Sequence, residues 1–239
     1  AAEAGMQGFS FTAVSIIGTL LVGTLLAKLL GVDKKLGHLI NSGTAICGGS
    51  AIAAVAPAIN SDDRCITVSL GVVFVLNSVA LLLFPPIGQW LELTQQQFGL
   101  WSAIAIHDTS SVVGAAEAFG VEALKIATTV KLTRALWIIP LALGSALVFR
   151  QKGAKIKIPW FIGGFVLAIL INTYVPGVEQ YCEYIVNVSR RGLVITLFLI
   201  GAGLSLSVIR SVGLRPMLQG VLLWVAISVV SLWAVVSWV

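Results

Sequence analysis

Charge is what this chain of 239 residues has least of. Only 10% of its residues are Asp, Glu, Lys or Arg, 58% are hydrophobic, and the mean hydropathy is +1.00. That balance excludes a soluble globular surface. Cysteine is scarce as well: Cys47, Cys65 and Cys182 form an odd set without close-paired spacing, so neither a disulfide framework nor a cysteine metal motif is read. No charged segment followed by a short apolar stretch and a cleavage site opens the chain, which excludes a secretory leader from the residues given. The chain starts Ala1-Ala2-Glu3 without Met and enters a full span within a few residues, so the reading expects upstream sequence. Long linkers are missing too, which leaves one transmembrane domain over 1–239.

What is present is apolar length. A span needs about 20 residues to cross a hydrocarbon core of about 30 Å. Phe9 to Leu30, Ile66 to Phe84, Leu132 to Phe149, Pro159 to Val175, Gly192 to Ser207 and Met217 to Val239 qualify, and two interrupted segments, at 38 to 60 and 99 to 119, bring the total to roughly eight membrane elements. The sequence thus predicts an all-α, multi-pass helical bundle. The net charge of +5 is used by topology rather than by nucleic acid. Arg150, Lys152, Lys155 and Lys157 place their loop in the cytoplasm; Lys34, Lys35, Arg210 and Arg215 fall on the same side, and Arg190 and Arg191 dissent. The expected location is a membrane that the chain crosses several times. Two longer connections, Pro85 to Phe98 and Pro176 to Ser189, are expected to lie along the interface as amphipathic helices. Trp90, Trp101, Trp137, Trp160, Trp224, Trp233 and Trp238 are read as an aromatic belt.

One polar phrase occurs twice. Ala45-Ile46-Cys47-Gly48-Gly49-Ser50 is echoed by Ala105-Ile106-His107-Asp108-Thr109-Ser110-Ser111, each followed by small residues. Within lipid an unpaired backbone group costs several kcal/mol, so such breaks persist only around a buried or watery cavity. In the first copy Asn41, Ser42, Thr44, Cys47 and Ser50 supply polar groups, while Gly43, Gly48 and Gly49 let the backbone open and expose a helix N-terminus suited to an anion. In the second copy Thr109, Ser110 and Ser111 supply hydroxyls, and His107 and Asp108 are ionisable groups at membrane depth. Asp108 is read as the site of a coupling proton or sodium, with His107 beside it, and also as a helix cap. Small residues also serve helix packing, which is the competing reading of the first copy.

Lys131 is the candidate substrate contact of the segment that follows. Its competing reading, shared with Glu117, Glu122, Lys125 and Arg134, is a solvated helical turn, and His38 is read as interfacial. If both copies cross the membrane they run parallel; if both are re-entrant hairpins they enter from opposite faces and form an inverted pair. Leu197 to Ser205, with Gly201-x-Gly203 and then Ser205 and Ser207, is an alternative partner for the first copy.

The phrases Asn41-Ser42-Gly43-Thr44-Ala45-Ile46-Cys47-Gly48-Gly49-Ser50 and Ala105-Ile106-His107-Asp108-Thr109-Ser110-Ser111, with Lys125, Thr128, Thr129, Lys131, Thr133 and Arg134, resemble the YeiH-type bacterial membrane family, which carries a sulfate-exporter label. The resemblance covers essentially the whole chain. It implies the superfamily of bile-acid sodium symporters and cation/proton antiporters, inverted repeats with discontinuous, crossing helices, and about three further N-terminal spans. It implies a secondary transporter of a small anion such as sulfate or an organic sulfonate or carboxylate, held by the polar residues of both phrases. No cofactor is implied beyond a coupling proton or sodium, the partners are the anion and the bilayer, and a homodimer is allowed. The adjacent acidic pair of some cation antiporters is absent, since His107 precedes Asp108. A passive anion channel, and an intramembrane hydrolase using His107 with Ser110 or Cys47, are the alternative functions.

Overall fold

A computed structural model describes residues 2–150, 160–175, 177, 179–203 and 212–238. Lys152, Lys155, Lys157, Pro159, Pro176, Ser205, Ser207 and Arg210 lie outside the described residues. The described residues are helical throughout, with no strand among them: α1 (Ala2–Leu29), α2 (Lys34–Ala45), α3 (Gly49–Ala58), α4 (Asp63–Trp90), α5 (Gln95–Ala105), α6 (Thr109–Phe119), α7 (Val121–Ala135), α8 (Ile138–Val148), α9 (Trp160–Tyr174), α10 (Glu179–Gly203) and α11 (Leu214–Trp238). Among the described residues, four stretches are long and apolar enough to cross a membrane: Thr12–Leu29, Asp63–Trp90, Val121–Val148 and Leu214–Trp238. The third is α7 and α8 joined through a tight turn, where Leu136 N donates to Thr133 O and Trp137 N to Arg134 O.

The helix boundaries follow local chemistry. Asp33 caps α2 by accepting from Lys35 N and Leu36 N, and Asp62 caps α4 by accepting from Cys65 N. Thr94 and Gln97 form a reciprocal capping box at the start of α5. This corrects one expectation. The segment from Pro85 to Phe98 is no interfacial helix, because α4 runs on through Pro85 and Pro86 to Trp90 and α5 begins at Gln95. The prolines cost two ladder hydrogen bonds near the helix end without stopping it. Of the second connection, the residues from Glu179 on belong to the 25-residue α10, which is helical as far as Gly203.

The two repeated phrases are breaks between half-length helices, α2/α3 and α5/α6. Each pair returns to where it began. Lys35 Nζ, at the start of α2, donates to Asn60 O, just past α3, at 2.6 Å. Gln95 Oε1, at the start of α5, accepts from Glu122 N (2.9 Å) and Ala123 N (3.3 Å), just past α6, and the Phe98 and Phe119 rings stack at 3.9 Å between centroids. Both pairs are therefore hairpins. Their arms of 10 to 12 residues reach about 15–18 Å, half of the hydrocarbon core. The mouth of the first lies at the Asp63 end of α4, where Cys65 meets Asp33; the mouth of the second lies at the Trp90 end, where Gly88 abuts Phe98 and Phe119.

Candidate functional site at the hairpin tips

The tips of the two hairpins meet. Gly48 has φ +63° and ψ −125°, a conformation that side chains rarely adopt, and a methyl built on it would lie 3.5 Å from Asp108 N and 3.1 Å from Val73 Cγ1. Glycine is thus required twice over at this position, by the turn and by the close approach of the other tip. The face of α4 carrying Leu70, Val73, Phe74 and Asn77 runs along this junction: Leu70 and Phe74 lie against Gly49, Val73 against Gly48, and Asn77 Oδ1 accepts from His107 N (3.1 Å) and Asp108 N (3.2 Å).

Two helices end and two begin at the junction. The ends of α2 and α5 present free carbonyls, worth roughly half a negative charge each, and each is met by a buried cation of α7. Arg134 Nη2 donates to Ala45 O at 2.5 Å, and its Nη1 to Ser15 Oγ of α1 at 3.3 Å. Lys131 Nζ donates to Ile106 O at 2.6 Å and to Ala103 O at 3.3 Å. Trp224 Nε1 of α11 adds a donor to Ala105 O at 3.1 Å. Lys131 and Arg134 are both fully buried, which corrects the solvated-turn reading for these two; Lys125 and Glu122, paired at 4.0 Å on the surface, keep it. Trp101 and Trp224 also leave the expected belt. They stack on Phe84 in the interior and donate to Ser228 O and Ala105 O.

The two helix starts differ. Asp108 Oδ2 accepts from Ser111 N (3.1 Å) and Ser111 Oγ (3.4 Å), so α6 is capped by its own carboxylate. The N-cap of α3 is Gly48, which has no side chain with which to cap the helix.

The remaining sequence candidates divide into those the junction gathers and those turned elsewhere. Asn41 is engaged by Gln219 of α11, whose Nε2 donates to Asn41 Oδ1 (2.8 Å) and Gly37 O (3.1 Å). Ser42 Oγ is used on its own helix, donating to His38 O, and Gly43 packs against Ile52 and Val73. Cys47 and Ser110 are buried, whereas Gly49, Ser50, Asp108 and Thr109 remain partly accessible at the junction. Thr44 Oγ1 and both ring nitrogens of His107 are buried without a hydrogen-bond partner. His107 therefore makes no hydrogen-bonded dyad with Ser110 or Cys47. His38 is half-buried, with Nε2 at 2.8 Å from Ser145 Oγ. The sequence reading passed over Asn77 and Gln219; the available signal was a lone amide in the middle of an apolar span.

The family model described as "Conserved hypothetical protein 698" matches residues 1–220. The chain belongs to this family. It is 55% identical over 234 residues to a UPF0324 membrane protein of Bacteroides thetaiotaomicron, covering 97% of this chain and 71% of that one. It is 57% identical over 232 residues to the UPF0324 membrane protein of Photobacterium profundum, with 97% and 71% covered, and 53% identical over 234 residues to that of Porphyromonas gingivalis, with 95% and 70% covered. No solved structure matches the chain. These family members are membrane proteins by name, in keeping with the helical membrane architecture.

Proposed function

We propose that this protein is a secondary carrier of a small anion, bound where the two hairpin tips meet. The observation that carries the reading is the uncapped start of α3 beside Asp108, at a junction where two buried cations stand near one partly accessible carboxylate. The two carbonyl ends offset about one of the two cationic charges, and the two helix starts add about one back. With Asp108 ionised the junction is left near one positive charge, which an anion of the sulfate, sulfonate or carboxylate class would balance. Half-accessible Ser50 and Thr109 supply further hydroxyls at its edge. Asp108, with His107 beside it, is the proposed coupling group for a proton or sodium.

Two hairpins with mouths at opposite ends of α4 support an inverted-pair reading, in which the tips form a gate and access alternates around it. Lys34, Lys35, Arg64, Arg150 and Arg215 gather around the first mouth, which supports the reading that this mouth faces the cytoplasm across a bacterial inner membrane. The test is uptake of radiolabelled sulfate and methanesulfonate into proteoliposomes under imposed proton and sodium gradients. Saturable, gradient-driven accumulation supports a carrier. Flux that only dissipates the gradient would make it a channel, and absence of flux for every anion offered would overturn the proposal.

A further inference from the structure

Asn77 is the fifteenth of the 28 residues of α4, so it stands at the middle of an unbroken span. It is 2% exposed. The two groups facing its carbonyl, His107 N–H and Asp108 N–H, are both donors, which fixes the amide with Oδ1 toward the second tip. The other half of the amide, Nδ2, has no partner. A scaffold that needed only an acceptor for two backbone amides would not retain a donor stranded at membrane depth, where lone polar groups are costly. One turn earlier on the same face, Val73 abuts Gly48, and a methyl on Gly48 would lie 3.5 Å from the Asp108 N from which Asn77 Oδ1 accepts, so this face of α4 sets the Asn77 amide beside both tips.

We infer that Asn77 is a two-sided residue: its carbonyl holds the second tip in place, and its amide donates to an oxygen of an oxyanion bound between the tips. This rests on the carrier reading above and adds to it a class of substrate, an anion presenting an unprotonated oxygen on the α4 side. The site then comprises Asn77 Nδ2, the first-turn amides of α3 and the hydroxyls of Ser50 and Thr109. Ligands lacking such an oxygen, chloride among them, forgo the directed hydrogen bond and bind weakly.

Asn77→Asp separates the two sides, because a carboxylate keeps the acceptor for His107 N and Asp108 N and deletes the donor. Sulfate binding is read from thermal unfolding of the purified protein in detergent, at neutral and alkaline pH, against chloride at matched ionic strength. The expected result is a monodisperse variant whose sulfate affinity falls by about tenfold or more, while Asn77→Leu loses both affinity and thermal stability. Wild-type protein that ignores sulfate, methanesulfonate and acetate alike overturns the carrier reading. Wild type that responds, with Asn77→Asp responding equally, overturns the role of Asn77 alone. Should Asn77→Asp fail to fold, wild-type protein labelled with 15N-asparagine gives the answer. The chain has five asparagines, and one side-chain amide pair, retained in Asn41→Asp, must shift on sulfate addition; unmoved pairs overturn the inference.

Discussion

Lys131 and Arg134, one turn apart on α7, end on the last carbonyls of two different broken helices, Ile106 O for the lysine and Ala45 O for the arginine. A single helical turn thus holds both tips. Hydrogen bonds from charged donors are worth about 1.5–3 kcal/mol, and a buried carbonyl left alone adds its own cost. Lys131→Met and Arg134→Met are each expected to lower stability by roughly 1–3 kcal/mol in denaturant unfolding of the detergent-solubilised protein. The double variant should lose more than the sum, because either single change already relieves the repulsion between two buried like charges and the double relieves it only once. Full additivity would show that these cations do not sense one another.

Gly48 and Gly18 make opposite predictions from the same substitution. Gly48→Ala places a methyl at positive φ against Val73 and the second tip, and should cost about 1–3 kcal/mol. Gly18→Ala, in the middle of α1 with nothing within 4 Å of the new methyl, should be neutral or stabilising by up to about 1 kcal/mol. Melting temperatures of the two variants, side by side, check this.

Asp108→Asn keeps an N-cap, since asparagine caps as well as aspartate, while Asp108→Ala loses it and should cost about 1 kcal/mol. Under the proposed coupling role, Asp108→Asn abolishes gradient-driven uptake with folding intact. Wild-type rates in that variant would remove Asp108 from coupling.

The hairpin geometry makes a sided prediction. Single cysteines at Lys35 and Asn60 should react with a membrane-impermeant reagent from one face of the membrane, and cysteines at Gln95 and Glu122 from the other. Reaction of Lys35→Cys and Asn60→Cys from different faces would mean that α2 and α3 cross the bilayer.

Asp62 gives a pH signature outside the membrane. Its carboxyl lies below its ordinary value of 3.8, chiefly because it accepts the Cys65 backbone N–H. A folded value below the unfolded one contributes stability that is complete above the unfolded pKa and is lost as acid carries the pH down through the folded value. Asp62→Asn should flatten that acid limb, as read from melting temperature against pH.

The fold was legible where periodicity and length are the signal. Long apolar runs marked α1, α4 and α11, and the paired phrases marked both breaks to within a residue or two. Hairpin or crossing helix could not be decided from the phrases, because the deciding contacts, Lys35 on Asn60 and Gln95 on Glu122, join residues 25 and 27 apart whose side chains carry no pattern. The solvated-turn alternative for Lys131 and Arg134 fails for a related reason: the carbonyls that accept them belong to backbone, which no residue letter records. Trp101 and Trp224 misread because the carbonyls that take their indole N–H groups, Ser228 O within α11 and Ala105 O at the end of α5, are backbone atoms of other helices.

The long-range caps also constrain how the chain can be made. Ala45 O waits for Arg134, 89 residues later, Ala105 O for Trp224, 119 residues later, and Asn41 for Gln219, 178 residues later. When the first hairpin leaves the ribosome, the side chains that will receive its open backbone, Arg134 and Gln219, have yet to be made. Its break can be fully satisfied only after α7 and α11 arrive, so the polar centre of this fold closes later than the helices that carry it are synthesised.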